Sequence, residues 1–196
     1  MPFCCGRTPA ADGKEIPNCF EIFVSRKEQK MENTTERVNK PNYYLDIAET
    51  VLRRSTCLRK KYGAIIVKND VIVSTGYNGA PRGRENCCSL GYCMRDELNI
   101  PRGERYELCL SVHAEANAII NASREQMLGS TMYIVGKDSK TGELLSDISS
   151  CMMCKRMVIN AGIDRVIFRS SETEYNEVKV RDWVINDDSM SGKFGY

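Results

Sequence analysis

A chain of 196 residues with 42% hydrophobic and 28% charged side chains has the material for one globular domain with a full core, plus an extra arm, and not for two independent domains. Its 28 Lys and Arg against 26 Asp and Glu leave a net charge of +2, which excludes the strongly basic surface of a dedicated nucleic-acid binder and favours small or locally charged ligands. No apolar run reaches the ~18 residues of a membrane span, and the opening MPFCCGRTPAADGKEIPNCF lacks the apolar segment of a secretory signal, so the expectation is a cytosolic protein with no membrane partner.

Residues 1 to 37 mix Pro, Gly and charge without sustained periodicity, and Met31 offers an alternative start, so they read as an N-terminal extension. From Pro41 the pattern changes. PNYYLDIAETVLRRS sets Tyr44, Ile47, Val51 and Leu52 on one stripe after a helix-starting Asn/Pro pair. GAIIVKNDVIVSTGYNG then places two β-branched runs, residues 64 to 67 and 71 to 75, around Asn69 and Asp70, the pattern of a tight hairpin. Residues 78 to 110 show no period and read as one long loop, which in a compact domain is usually functional. Ser111 is expected to cap a helix with the stripe Val112, Ala116, Ile119 and Ile120.

TMYIV (131 to 135) is expected to be a strand, GKDSKTGELLSDISS a loop or small hairpin, CMMCKRMVINA a helix closed by Gly162, and DRVIFR another strand. Strand, helix, strand implies a right-handed parallel crossover. The whole reads as a three-layer α/β/α fold with a mixed sheet of about five strands and helices on both faces. The domain is expected over 38 to 170. Residues 171 to 196 read as a C-terminal tail with Val178, Val180, Trp183 and Ile185 as docking points for a final strand or the tail.

Ten cysteines in a reducing compartment favour metal binding or catalysis over disulfides. The single histidine, His113 in SVHAEANAII, falls in the first turn of its helix, and Cys151 and Cys154 open another. In an open α/β sheet such helix starts converge at the carboxyl edge of the strands. Two thiolates and one imidazole fill three positions of a tetrahedral zinc and leave the fourth to water, as a catalytic site requires. The spacing of three sets both sulfurs over one helix start, where exposed N–H groups and the dipole favour thiolate. Glu115 projects about 200° around the helix from His113, so it is free to act as a proton shuttle rather than a ligand. Zinc lowers the pKa of its water towards neutrality, and hydrolytic loss of an amino group from a nucleobase needs this set of parts.

His-x-Glu followed by a Cys-x-x-Cys helix resembles the zinc nucleobase deaminase signature, with Ser150 where that signature has proline. STCLRKKYGAIIV, GYNGAPRG, NCCSLGYC, GERYELCLSVHAEANAI and CMMCKRMVINAGI are similar in order and spacing to the deoxycytidylate (dCMP) deaminase family, over roughly residues 40 to 170. The resemblance implies a cytidine deaminase-like fold, zinc on His113, Cys151 and Cys154, Glu115 as proton shuttle, and Asn78 contacting sugar or base. It implies conversion of dCMP to dUMP, homo-oligomers that are often hexamers, activation by dCTP and inhibition by dTTP.

Around that site, amide groups near Ala114 and Glu115 are expected to meet the pyrimidine carbonyl, and Ile65 and Tyr133 to line an apolar slot. A 5′-phosphate needs cationic donors, and Arg82, Arg84, Arg95, Arg102 and Arg105 crowd the long loop. The middle cysteines admit two readings. Cys57, Cys88 or its neighbour Cys87, Cys93 and Cys109 form a closed, structural Cys₄ zinc site, or they are reduced thiols packed as small hydrophobes. Cys4, Cys5 and Cys19 show no paired spacing with anything downstream. Against a dCMP deaminase stand a deaminase of cytidine, guanine or tRNA adenosine, a non-catalytic zinc scaffold, and a thioredoxin-like use of the CxxC.

Overall fold

The computed structural model describes residues 37–187 apart from residue 102. Cys4, Cys5, Cys19, Met31 and Arg102 lie outside the described residues, as does the extension before residue 37. Helix α1 (Lys40–Leu52) begins where the Asn39 side chain accepts the Asn42 N–H and Pro41 sits in the first turn. Its buried stripe is Tyr44, Leu45, Ala48 and Leu52, with Ile47 and Val51 only half-buried on the flank. The expected stripe was thus rotated by about one position.

Strands β1 (Lys60–Lys68) and β2 (Val71–Tyr77) form the expected antiparallel hairpin. Asn69 and Asp70 both have positive φ, 51° and 63°, as a two-residue type I′ turn requires. The long segment after β2 is not one loop. It holds two short helices, α2 (Cys87–Leu90) and α3 (Met94–Glu97), and a single 3₁₀ turn at Tyr106–Leu108. Helix α4 (Ala114–Ile120), the capped turn α5 (Arg124–Met127), β3 (Thr131–Asp138), α6 (Met152–Ala161) and β4 (Arg165–Arg169) follow. Gly162 closes α6 at φ 76°.

The segment after residue 170 is more than a tail. It pairs as β5 (Tyr175–Lys179) antiparallel to β4 and continues into α7 (Val180–Asn186). Val180 and Trp183 are buried, whereas Ile185 is 61% exposed and docks nothing.

The sheet order is β2-β1-β3-β4-β5, with β3 and β4 parallel and every other neighbour pair antiparallel. Side chains that alternate along the strands build two cores. Ala64, Ile66, Met132, Ile134, Val166 and Phe168 pack under α4 to α7, and Ile65, Val67, Tyr133, Val135 and Ile167 pack under α1. Both faces are therefore covered, which is why the central strands read as unbroken apolar runs. Among the described residues no helix is long and apolar enough to cross a membrane.

Candidate active site

Two helix starts build the site. Val112 forms an antiparallel bridge with Gly79, just past the end of β2, and so sets His113 at the N-cap of α4. Ser111, expected as the cap, lies two residues earlier, and its hydroxyl is 3.8 Å from the Cys87 sulfur. Helix α4 lies tight on β2. Asn117 donates to the Tyr77 carbonyl at 2.7 Å and the Ser74 hydroxyl to the Ala118 carbonyl at 2.8 Å. Its buried face is Ala114, Glu115, Ala116 and Ala118, while Ile120 is 70% exposed. Small residues win that face because the helix sits too close for a branched side chain.

Cys151 is the N-cap of α6 and Cys154 lies one turn inside it. His113 Nδ1 is 3.5 Å from Cys151 Sγ and 3.4 Å from Cys154 Sγ. The three ligand atoms lie within 4.8 Å of one another, the one such group among the described residues. Zinc at Zn–N ≈ 2.0 Å and Zn–S ≈ 2.3 Å in a tetrahedron separates nitrogen from sulfur by ~3.5 Å, so the donor set fits that ion. The electrostatics agree. Burial works against charge on His113, yet the hydrogen bonds with Cys109 and Cys151 and the charge of Glu115 outweigh it and hold its pKa at about 10. A hydrogen bond from Cys154, aided by His113, pushes Cys151 down to about 4, while the same shared proton and burial hold Cys154 up. The pocket pairs a protonated imidazole with the Cys151 thiolate and a proton shared with Cys154.

Glu115 is fully buried and burial raises its pKa, opposed by the charge of His113. Ser150 Oγ donates to its Oε1 at 3.0 Å. Above it opens a cavity of ≈ 180 Å³, with apolar walls from Tyr62, Ile134, Ile148 and Phe168. Ile65 and Tyr133, expected there, point to the opposite face of the sheet, into the core under α1. Tyr133 is one residue out of phase with the cavity-lining Ile134, and Ile65 with Ala64 and Ile66, which pack in the core on that face, so period-2 alternation decides the face.

Asn78 lines the cavity, but its amide is engaged. Oδ1 accepts from Ser55 Oγ at 2.6 Å and the Tyr62 N–H at 2.8 Å, and Nδ2 donates to the Lys60 carbonyl at 2.9 Å. Ala114, at the first position of α4, also lines the cavity. Of the loop arginines, Arg82, Arg84 and Arg105 are exposed, whereas Arg95 is 5% exposed and reaches the wall. Its guanidinium donates to the Pro101 carbonyl and the Glu104 carbonyl and lies 4.6 Å over the Tyr106 ring. Tyr106 in turn sets its edge on the His113 ring at 5.1 Å and 88°. Sequence reasoning missed Tyr106 and also Arg59 and Lys60, two further cations on the wall. The basic run RKK leading into β1 was the available signal.

The expected Cys₄ set, Cys57, Cys88, Cys93 and Cys109, is not brought to ligand distance among the described residues. Cys88 is exposed on the outer side of the short helix α2. Cys87 is the buried member of the pair. Burial raises its thiol, and the charges of Cys57, Cys109 and Cys93 push it the same way. Cys57, Cys93 and Cys109 line the cavity near Cys87, and Cys109 hydrogen-bonds with His113.

Residues 38–170 match the model of the cytidine and deoxycytidylate deaminase zinc-binding region. A deoxycytidylate deaminase of Mycobacterium phage D29 is 34% identical over 131 residues, covering 64% of this chain and 91% of that protein. One from Schizosaccharomyces pombe is 32% identical over 130 residues, 66% of this chain, which spans only 37% of that protein's length. The crystal structure of dCMP deaminase from cyanophage S-TIM5 in apo form superposes with TM-score 0.46 at 29% identity, covering 66% of this chain and 81% of that one. With the matched region enclosing His113, Glu115, Cys151 and Cys154 together, the chain belongs to the cytidine and deoxycytidylate deaminase zinc-binding family.

Proposed function

We propose that this chain is a hydrolase that deaminates dCMP to dUMP and ammonia, supplying dUMP for thymidylate synthesis. The observation that carries the reading is the meeting of one imidazole and two thiols beside a buried carboxylate that lines a cavity. His113, Cys151 and Cys154 would hold zinc, which when bound supplies a Lewis acid that makes water a competent nucleophile near neutral pH. Glu115 would take one water proton on attack at C4 and give it to the ring nitrogen N3, then take the proton of the new C4 hydroxyl and give it to the amino group, which leaves as ammonia when the C4–N bond breaks. Its raised pKa suits that task, because a carboxyl that holds a proton longer can also hand one on. The apolar walls exclude bulk water from a flat ring, and the Asn78 amide has one N–H left for a substrate atom. Ala114 stands where a backbone N–H can reach the C2 carbonyl.

Arg59, Lys60 and Arg95 favour a phosphorylated substrate over a bare nucleoside. Glu115 is the one carboxylate among the lining residues against these three cations, of which Arg59 also pairs with Asp96 at 3.2 Å. The similarity to deoxycytidylate deaminases supports the same substrate. Regulation by dCTP and dTTP and assembly into a homo-oligomer such as a hexamer belong to the proposal through that resemblance alone. No nucleic-acid partner is expected.

Ammonia release from dCMP, deoxycytidine, cytidine and a tRNA anticodon stem, measured side by side on zinc-loaded protein, tests the reading. Turnover is expected for dCMP well above the others. Turnover confined to an unphosphorylated nucleoside or to the tRNA stem would sink it.

A further inference from the structure

We infer that Ser150 is a positioning residue for Glu115, holding one carboxylate oxygen so that the other stays free for the proton that deamination moves. The inference rests on the deaminase reading and adds a residue to it. Ser150 Oγ donates to Glu115 Oε1 at 3.0 Å, and the two residues are 3% and 8% exposed, so water does not compete for the bond. The nucleobase deaminase signature carries proline at this place, a residue with no donor of any kind. The serine here therefore adds a hydrogen bond inside the site.

Three features make that bond act on chemistry as well as on packing. First, a hydroxyl that donates to Oε1 treats that oxygen as an acceptor, so a carried proton belongs on Oε2 and the two oxygens take separate roles. Second, the terminal torsion of a glutamate is broad and about two-fold, so an unheld carboxylate in a roomy cavity samples orientations that point neither oxygen at substrate. Third, Ser150 immediately precedes Cys151, the N-cap of α6, whereas Glu115 belongs to α4. The hydroxyl thus ties the proton carrier directly to the element bearing two of the three candidate ligands. The remaining groups that act on the Glu115 carboxylate are its own backbone N–H, His113 from its own helix start, and Cys151 and Cys154 from α6. The imidazole and the thiols cannot replace the hydroxyl while holding a metal, and the backbone N–H is fixed by the turn of α4 and cannot follow the carboxylate.

The test is Ser150→Ala, Ser150→Thr and Ser150→Pro in the full chain, each assayed on dCMP per bound zinc, with zinc content and thermal melting recorded. Ser150→Ala is expected to lower kcat about tenfold at unchanged KM, the scale of one hydrogen bond to a charged group. Ser150→Thr, which keeps the hydroxyl, is expected to restore kcat to within about threefold. Ser150→Pro should match Ser150→Ala in kcat and provides the same readout if the alanine variant folds poorly. An unchanged kcat in both the alanine and proline variants, or a loss explained wholly by lost zinc or a raised KM, overturns the inference. A wild-type protein inactive on dCMP overturns the functional reading itself, and this inference with it, whereas an active wild type with an equally active Ser150→Ala overturns the role of Ser150 alone.

Discussion

At the scale of single residues, the roles divide by what each side chain loses when changed. Glu115 separates an enzyme from a zinc scaffold, because a scaffold has no use for a buried carboxylate next to three ligand-type side chains. Glu115→Gln keeps size and the acceptor that Ser150 meets, and removes only the ability to carry a proton. It is expected to retain zinc and melting temperature while turnover of dCMP falls by about 10² or more. Turnover equal to wild type, with metal content matched, would remove Glu115 from the mechanism. Residue types alone made His113, Glu115, Cys151 and Cys154 legible, since few sets of side chains serve one metal and one proton. Ser150 was legible only as a missing proline. Its partner, 35 positions away, needed coordinates. Tyr106 was hidden for the same reason, as was the choice of Arg95 among the loop arginines, because a ring edge or a buried guanidinium leaves no periodic trace.

At the scale of elements, two glycines let helices approach the sheet from opposite sides, and they act on different things. A Cβ at Gly76 of β2 would lie 2.3 Å from the Ala114 carbonyl oxygen and 2.3 Å from the Ala118 nitrogen, both backbone atoms of α4. A Cβ at Gly63 of β1 would lie 2.1 Å from the Ala48 carbonyl oxygen and 2.6 Å from the Leu52 nitrogen of α1. Backbone cannot rotate out of the way, so either alanine must move a helix, at a cost on the order of 1–3 kcal/mol or more. Only Gly76→Ala moves the helix that carries His113 and Glu115. Both variants are expected to melt lower than wild type, but zinc affinity of the folded protein should fall in Gly76→Ala and hold in Gly63→Ala. Equal zinc affinity in the two would mean that α4 does not govern the site. The β-hairpin was legible because Asn69 and Asp70 tolerate positive φ. The stripe of α4 was misread because periodicity rewards large apolar residues, and here the contact with Gly76 demanded alanines.

At the scale of the whole molecule, the alternation of strands and helices was enough to read a covered mixed sheet, yet not its edge. YNEVK has one partly buried valine and four polar or aromatic neighbours, the composition of an edge strand that looks like a tail until it is paired. The cysteines pose the opposite problem, a strong signal whose count exceeds its use. A closed Cys₄ zinc centre brings four sulfurs to ~3.8 Å of one another, and only deprotonated thiols bind. Here Cys88 is exposed, Cys87 is held by burial towards the neutral thiol, and Cys57, Cys93 and Cys109, although near Cys87, are not within ligand distance as a group among the described residues. Purified full-length chain is therefore expected to hold one zinc, by metal analysis of reduced protein. Cys151→Ser should lose it together with activity, and Cys88→Ser should lose neither. Two zincs per wild-type chain, falling to one on Cys57→Ser or Cys87→Ser, would mean that the middle thiols close around a metal in solution. The cavity wall would then be a loop clamped by a metal and not by packing alone.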